Sequence, residues 1–441
     1  MKVSLHKLIF CIVFLSFTAS LCLAADSPAI PNKIDSGDTA WVLISTALVM
    51  IMTPGLAFFY GGLVRRKNYL SILMQCFIAL AALSIQWVLI GYSLSFAPSN
   101  GFWGGFKWFG LNGVGFEPYA SYSATIPHQA FMIFQAMFAI ITPALIIGAF
   151  AERMKFSAFL VFLLLWATFV YDPIAHWVWG VGGWLRNLGV LDFAGGTVVH
   201  INAGIAALVT ALIIGKRSCH DKYAVAPHNL PFSVLGAAML WFGWFGFNAG
   251  SALGANGLAV NAFVVTNTAA AAAALTWAII DWMLNGSPTM LGTISGAVAG
   301  LVAITPAAGF VGIGGAIGIG VIVSILCFIA VSFIKHKFHY DDSLDAFGVH
   351  GIGGMWGAIA TGIFATKAVN SASANGLLAG NPKQLLIQLA ATAATVIYSL
   401  IATYIIYKLV DIIIGVRVTD NDEAVGLDLT QHNERAYTML E

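Results

Sequence analysis

The chain has 441 residues, of which 59% are hydrophobic and only 9% are charged, and its net charge at pH 7 is +1. About a quarter of the residues of a soluble domain are charged, so this chain has too few charged residues to cover a water-exposed surface. The composition excludes a soluble protein, and no lysine- or arginine-rich run indicates a nucleic-acid partner. We expect a polytopic membrane protein whose outer surface contacts membrane lipids.

The N-terminus has the pattern of a secretory signal peptide. Lys2 and Lys7 precede a mostly apolar segment over residues 8–17, and small residues follow it. This pattern predicts cleavage after Ala24 or Ala25, and the alternative is a first helix that is retained. The predicted parts of the chain are a signal peptide (1–24), a transmembrane domain (25–414) and a polar tail (415–441).

Eleven further segments are apolar enough to cross a membrane, since a spanning helix needs about twenty apolar residues. Basic residues follow the first, third, fifth and ninth of these segments and occur again in the tail. Because basic loops remain in the cytoplasm, the tail is predicted to be cytoplasmic and the mature N-terminus periplasmic. The predicted spans are 40–62, 70–96, 127–150, 157–179, 195–215, 231–248, 258–283, 289–305, 310–334, 346–365 and 384–414.

Two histidines lie deep inside apolar spans. His200 ends the phrase Asp192-Phe-Ala-Gly-Gly-Thr-Val-Val-His in span five, and His350 lies in Asp345-Ala-Phe-Gly-Val-His-Gly-Ile-Gly-Gly in span ten. An ionisable side chain at membrane depth normally faces a pathway, and histidine exchanges a proton near neutral pH. The pair indicates passage of something small and basic, with a proton involved. The alternative is a pair of core histidines that fix helix packing.

The positions of these two spans suggest an internal repeat. Spans five and ten end two halves of five helices each, and because five is odd the second half enters the membrane inverted. We predict an all-α fold of two inverted five-helix repeats plus a final helix. Inverted repeats place a shared site near the midplane, where His200 and His350 would meet. The repeat depends mostly on topology, since the sequence similarity between the halves is faint.

Five segments carry a resemblance to a known family: Thr53-Pro-Gly-Leu-Ala-Phe-Phe-Tyr-Gly-Gly-Leu-Val-Arg-Arg-Lys-Asn68, Ala151-Glu-Arg-Met-Lys-Phe-Ser-Ala158, Asp192-Phe-Ala-Gly-Gly-Thr-Val-Val-His-Ile-Asn-Ala203, Trp244-Phe-Gly-Phe-Asn-Ala-Gly-Ser251 and Phe347-Gly-Val-His-Gly-Ile-Gly-Gly354. Together they resemble the ammonium transporter (Amt/methylammonium permease/Rhesus) family, closest to its bacterial Amt branch. The resemblance covers about Trp41 to Tyr437. It implies a homotrimer with one pore in each eleven-helix subunit, and transport of ammonium or its analogue methylammonium.

An outer recruitment site is the first element that the resemblance implies. Trp179, at the end of span four, offers an indole face to a cation, an interaction of about 0.5–2 kcal/mol. Ser251 offers a hydroxyl acceptor, and Phe134 matches the aromatic residue that completes the site in the family. On spacing alone, Trp179 is better explained as an interfacial tryptophan.

The pore itself is implied by four further matches. Phe138 and Phe247 match two stacked rings that close the pore in the family, although phenylalanine stripes by themselves favour core packing. His200 and His350 match the twin histidines that line it. Such a pair can share one proton while both rings are neutral, donate hydrogen bonds to ammonia and relay the released proton.

Asp192 lies eight residues before His200. Its carboxylate could bind the cation directly, or it could cap the helix of span five by accepting backbone hydrogen bonds. Direct ligation would hold ammonium too tightly for turnover. We therefore favour the structural role, with a secondary effect on the electrostatics of the outer site. Asp342 and Asp345, before span ten, likewise suit capping.

Ammonium and potassium are similar in size, so the chemical difference between them must provide selectivity. A dry apolar pore admits neutral ammonia but excludes an ion that cannot neutralise itself. We predict that ammonium binds outside, loses its proton near the phenyl rings and crosses as ammonia, with a proton relay that makes uptake electrogenic. No cofactor, metal ion or enzymatic activity is expected.

The cellular setting follows from the same resemblance, which implies the inner membrane of a Gram-negative-like cell. The tail, with Gly426-Leu-Asp428 and His432, resembles the family's regulatory C-terminus, which helps a PII-type nitrogen regulatory protein close the cytoplasmic exits; a disordered tail is the alternative. Two other functions remain open: an ammonium sensor that moves little substrate, and a passive Rhesus-type gas channel. An extra signalling domain would favour the sensor, and this short tail contains none.

Overall fold

The structure, a computed structural model, describes residues 33–218 and 226–437, so the predicted signal peptide lies outside the described residues. Within these two ranges the chain is helical and contains no β-strand; one isolated antiparallel bridge pairs Met154 with Arg417. Helices suit a chain in lipid because each helix satisfies its backbone hydrogen bonds internally. The prediction of an all-helical membrane protein is confirmed.

Ten of the described helices are long and apolar enough to cross a membrane. An eleventh apolar helix has 15 residues, and each of these eleven helices coincides with one predicted span. Helix α4 is interrupted by a turn after Trp179, and its last helical segment begins at Trp184. The helices are α1 (Ser36–Leu63), α2 (Arg66–Phe96), α3 (His128–Phe150), α4 (Phe156–Leu188), α5 (Gly196–Ile214), α6 (Leu230–Ala252), α7 (Gly257–Asn285), α8 (Met290–Ile304), α9 (Ile313–Phe338), α10 (Phe347–Phe364) and α11 (Pro382–Ile414), followed in the tail by α12 (Asp420–Val425) and α13 (Leu427–His432).

Helices α5 and α10 begin in the same unusual way. Each starts with a π-helical turn, Gly196–Ile201 in α5 and Phe347–Gly351 in α10, and each turn contains one of the two histidines. A π-turn carries one more residue than an α-turn and is frequently found at functional sites. The histidines therefore lie at locally widened turns in both helices.

Two glycines allow α5 and α10 to cross closely. A Cβ atom added to Gly204 would lie 2.2 Å from the backbone nitrogen of Gly351. One added to Gly354 would lie 2.9 Å from the nitrogen of Ile201. Small residues at a crossing let helix backbones approach, and this approach brings the first turns of α5 and α10 together.

Buried ion pairs connect the loops at the end of the bundle that carries the tail. Asp341, before α10, accepts from Arg217 at 2.8 Å and lies 3.4 Å from Arg153, while Glu152 lies 2.6 Å from Arg65. Burial acts to raise the pKa of Asp341, but the two arginines outweigh it and hold the pKa well below its usual range. The carboxylate of Asp341 is therefore charged, and it links the loop between α9 and α10 to the loops after α3 and α5.

The described part of the tail packs against these same loops. The backbone N–H of Leu427 donates to Asn68 Oδ1 at 2.8 Å, and the N–H of Ser218 donates to Glu423 Oε1 at 2.7 Å. Asn68 lies in the first turn of α2 and Ser218 follows α5. The tail thus joins the start of α2 to the segment that follows α5.

The close crossing generates a prediction about stability. We expect Gly204→Ala to lower the stability of the detergent-solubilised protein by about 3 kcal/mol, because the new methyl group overlaps the backbone of Gly351. The measurement is the thermal unfolding midpoint. Gly314→Ala, where an added Cβ meets no atom within 4 Å, is the matched control and should not lower the midpoint. Equal losses in both variants would contradict the role given to the crossing.

Candidate functional site

The two histidines meet inside the bundle. The Nδ1 atoms of His200 and His350 are 3.3 Å apart, and their rings lie nearly parallel at 18° with centroids 5.4 Å apart. Both side chains are buried, with 1% and 4% of their surface exposed. At this distance one Nδ1 can donate a hydrogen bond to the other while both rings are neutral. The Nε2 atom of His200 is buried and has no hydrogen-bond partner among the described residues, which leaves it free to contact a small molecule.

A narrow cavity runs beside this pair. Its volume is about 10 Å³, roughly the space that one water-sized molecule occupies. The two imidazoles and Trp244 line it, and most of the remaining lining consists of aliphatic and phenyl side chains such as Leu56, Val199 and Val298. The cavity therefore offers an ion almost no replacement for its water of hydration.

A wide vestibule of about 740 Å³ continues from the narrow cavity. Phe59, Val298 and His350 line both spaces, so the histidine pair lies where the passage widens. The wall of the vestibule carries Asp281 and Asp345, and Asp345 accepts from Lys335 at 2.6 Å. This wider space can hold water, and it opens at the end of the bundle that carries the basic loops and the tail.

A row of aromatic rings leads from the histidines toward the opposite end. The ring of Phe247 lies 6.0 Å from that of His200 and 4.3 Å from that of Phe138, and Phe138 lies 5.8 Å from Trp179. Phe138 and Phe247 are 1% and 0% exposed. The two rings are in contact and buried, and they lie between the histidine pair and Trp179.

The other two residues expected at the outer site lie beside this row. Phe134 is fully buried, 5.0 Å from Phe138, and its ring packs against Gly250. Ser251 is half-buried, and its hydroxyl donates to the carbonyl of Phe247 at 2.8 Å, which leaves the oxygen lone pairs as acceptors. Trp179 is also half-buried. The structure brings the predicted recruitment residues and the two gate phenylalanines to the same end of the passage.

Asp192 holds the start of α5 and fixes the tryptophan. Its carboxylate accepts from the N–H groups of Gly195, Gly196 and Thr197 at 2.8, 2.6 and 2.8 Å, and the Thr197 hydroxyl also donates to it. Its backbone carbonyl accepts from Trp179 Nε1 at 2.9 Å. The carboxylate oxygens are thus directed at the helix terminus, and the indole is held by its edge with its face available.

Asp342 occupies the corresponding place before α10, also eight residues before a histidine. Its Oδ2 atom accepts from the N–H of Phe347 at 2.8 Å. Burial raises the pKa of its carboxyl group to about 6, although the nearby Lys335 opposes this effect. Asp345, also expected to cap this helix, instead pairs with Lys335.

One residue of the site was not singled out from the sequence. The indole of Trp244 stacks on the imidazole of His200 at 5.5 Å and 20°, and its Nε1 donates to Thr305 Oγ1 at 2.9 Å. The sequence could have indicated this role, because Trp244 lies three residues before Phe247 and both rings therefore lie on one face of α6. Trp244 therefore packs in a nearly parallel orientation beside the imidazole of His200 and restricts the orientation of its ring plane.

No cluster of three or more histidine, cysteine or acidic side chains that could hold a metal ion occurs in residues 33–218 and 226–437. The polar atoms of the passage are instead those of paired imidazoles. This arrangement can accept or donate single protons and hydrogen bonds to a small neutral molecule.

Comparison with known proteins agrees with this geometry. Residues 40–437 match the Ammonium Transporter Family. The chain is 56% identical to the ammonium transporter of Bacillus subtilis (strain 168) over 401 residues, covering 91% of this chain and 98% of that protein. The crystal structure of Saccharomyces cerevisiae Mep2 is similar with a TM-score of 0.83 and 40% identity, covering 88% and 89% of the two chains. A structure described as Sensor Amt Protein gives a TM-score of 0.82 at 29% identity, covering 90% and 98%.

The family model spans most of the chain, and the Bacillus subtilis relative aligns over nearly its whole length with more than half of the aligned residues identical. The resemblance seen in the five sequence segments is confirmed. This chain belongs to the ammonium transporter family.

Proposed function

We propose that this protein transports ammonium by recruiting the cation at the outer face, removing its proton and conducting ammonia past His200 and His350. The observation that carries the proposal is the 3.3 Å contact between two imidazoles in the wall of a narrow apolar passage. Such a passage needs a cargo that fits the space of one water molecule and can become uncharged.

Charge is the basis of the proposed selectivity. Moving an unpaired ion into an apolar interior is far more costly than moving a neutral amine, because no dipoles replace its water. Ammonium avoids this cost by releasing a proton. Potassium has no neutral form, so it remains outside although its size is similar.

Trp179, Ser251 and Phe134 form the proposed recruitment site. The indole face attracts a cation, and the Ser251 hydroxyl retains acceptor lone pairs after donating to Phe247. Neither group carries a full negative charge, so the site binds ammonium without trapping it. This set also favours cation recruitment over passive passage of a gas.

Phe138 and Phe247 act as the proposed gate, and the histidines act as the proposed relay. The two phenyl rings must separate briefly for a molecule to pass, since they are in contact and fully buried. The released proton moves along the histidine pair and the water of the vestibule, which makes uptake electrogenic. Asp192 serves this path indirectly, by holding the first turn of α5 and the edge of Trp179.

The proposed architecture is two inverted five-helix repeats, α1–α5 and α6–α10, followed by α11. Two features support it. π-helical turns occur in α4 and α9, which correspond in the two repeats, as Ala167–Tyr171 and Ala330–Ile334, in addition to those of α5 and α10, although a further one in α2, Trp87–Gly91, has no counterpart in α7. An aspartate also precedes each pore histidine by eight residues.

The proposed setting is a homotrimer in the inner membrane of the cell. The signal peptide (1–24) is removed, the mature N-terminus faces the periplasm, and the tail (415–441) faces the cytoplasm. Basic loops at the vestibule end of the bundle support this orientation. The tail, packed beside the loops at that end, provides contacts for a PII-type nitrogen regulatory protein that closes the exits.

The proposal predicts that His200→Ala lowers saturable methylammonium uptake by about 100-fold, because the variant loses both the relay and the hydrogen bonds to ammonia. Uptake is measured in cells that lack their own ammonium transporters. His339→Asn is the control and should keep wild-type uptake, because His339 is exposed, lines neither the cavity nor the vestibule, and has a left-handed backbone conformation that asparagine adopts readily. Selective uptake that is unchanged in His200→Ala would remove this histidine from its role.

Removing the indole of Trp179 should mainly weaken the binding of the substrate cation. We expect Trp179→Leu to raise the half-saturating concentration of methylammonium about tenfold, the effect of losing a partly desolvated cation–π contact. Concentration-dependent uptake in the same cells checks this expectation. An unchanged half-saturating concentration would return Trp179 to the role of an interfacial tryptophan.

Proton transfer through the pore predicts an electric current. Proteoliposomes given an inward ammonium gradient should produce a transient inward current, and an equal potassium gradient should produce none. Normal ammonia flux without current would reject the proton relay. Binding of ammonium without flux or current would instead identify the protein as a sensor.

A further inference from the structure

We infer that Gln388 of α11 is a positioning residue for the outer ammonium site. This inference depends on the proposed function, because it concerns how tightly the site binds ammonium. Gln388 is 0% exposed and lies on the side of α11 that faces α10 and the segment before α5. Nothing in the hydropathy of span eleven sets this residue apart.

The amide of Gln388 holds a single residue with two hydrogen bonds. Its Oε1 accepts from the N–H of Leu191 at 2.8 Å, and its Nε2 donates to the carbonyl of Leu191 at 2.7 Å. The second Nε2 hydrogen reaches the carbonyl of Ala358 in α10 at 3.1 Å. Oε1 also accepts from Gln384 Nε2 at 3.3 Å. Because both donors and the acceptor oxygen are occupied, the orientation of the amide is fixed.

Leu191, the residue that Gln388 holds, immediately precedes Asp192. The carbonyl of Asp192 fixes Trp179 Nε1, and its carboxylate holds the first turn of α5, which carries His200. The N–H groups of Gly189 and Val190 still donate to carbonyls at the end of α4, whereas the N–H and carbonyl of Leu191 are paired by Gln388. Gln388 therefore sets the position from which Asp192 reaches both the outer site and α5.

The clamp also satisfies backbone groups that nothing else near them would pair. Leu191 is 9% exposed, so its N–H and carbonyl have little access to water. A buried polar group without a partner is unfavourable. Without the amide, the segment must shift to regain hydrogen bonds, and that shift moves the carbonyl that holds the indole of Trp179.

The test is the concentration dependence of methylammonium uptake by the full-length protein in transporter-deficient cells. We expect Gln388→Leu to raise the half-saturating concentration about fivefold, since the indole face loses its fixed orientation. The maximal rate should change less than the half-saturating concentration, because the histidine contact is not removed.

Thr403→Val is the matched control. Thr403 is also fully buried on α11, and its hydroxyl accepts from Trp166 Nε1 at 2.9 Å, away from the outer site. This variant loses one buried hydrogen bond on the same helix, so it should lower the thermal midpoint without changing the half-saturating concentration. An equal rise in the half-saturating concentration for both variants would mean that Gln388 acts only through general stability, and would overturn the inference.

A second substitution covers the case in which Gln388→Leu does not fold. Gln388→Met keeps the length of the side chain and fills the same space but loses all of its hydrogen bonds, so it should give a rise in the half-saturating concentration similar to that expected of Gln388→Leu. An unchanged value in this variant would also overturn the inference. Absence of saturable uptake in the wild type would contradict the proposed function itself, which separates the two failures.

Discussion

The high free energy of a charge in an apolar passage is the constraint on which this molecule depends. The narrow cavity beside His200 and His350 has room for about one water-sized molecule and is lined mainly by carbon. An ion entering it would lose its hydration shell and find little in return. Two imidazoles in contact are suited to such a place, because they offer hydrogen bonds and proton exchange while remaining neutral.

Much of the surrounding structure serves to hold those two rings together. The glycine crossing of α5 and α10 brings the helices close, and the aspartates before each helix hold the first turns. Trp244 lies nearly parallel to the ring of His200, which contacts His350 through its Nδ1 atom. Further out, Gln388 ties α11 to the residue before Asp192. Small residues, capping carboxylates and one amide thus place a pair of side chains that the membrane alone would disfavour.

The helices and the meeting of the histidines could be predicted from the sequence because they follow from hydropathy and topology. A span of apolar residues has few alternatives in lipid, and an ionisable pair at equal depth in two halves is expected to share one site. Trp244 and Gln388 could not be identified in this way. Tryptophan and glutamine occur at many positions of membrane helices, and their roles depend on which backbone groups lie opposite them.

The π-turns escaped prediction for a related reason. Hydropathy is nearly unchanged by one additional residue in a turn, whereas the direction of every later side chain changes by about 100°. The side-chain partner of Asp345 could not be predicted either. Its position before α10 suits a cap as well as that of Asp342 does, and only the proximity of Lys335 decides between them.

The attachment of the tail has a mechanical consequence. Through Leu427 and Glu423 it links Asn68, in the first turn of α2, to Ser218, after α5, while Arg217 anchors that same segment to Asp341 before α10. Movement of α10 away from α5 at this end would have to break the buried Arg217–Asp341 pair, and the tail holds the ends of α2 and α5 together. These bonds oppose the large rotations of helix groups on which alternating-access carriers depend.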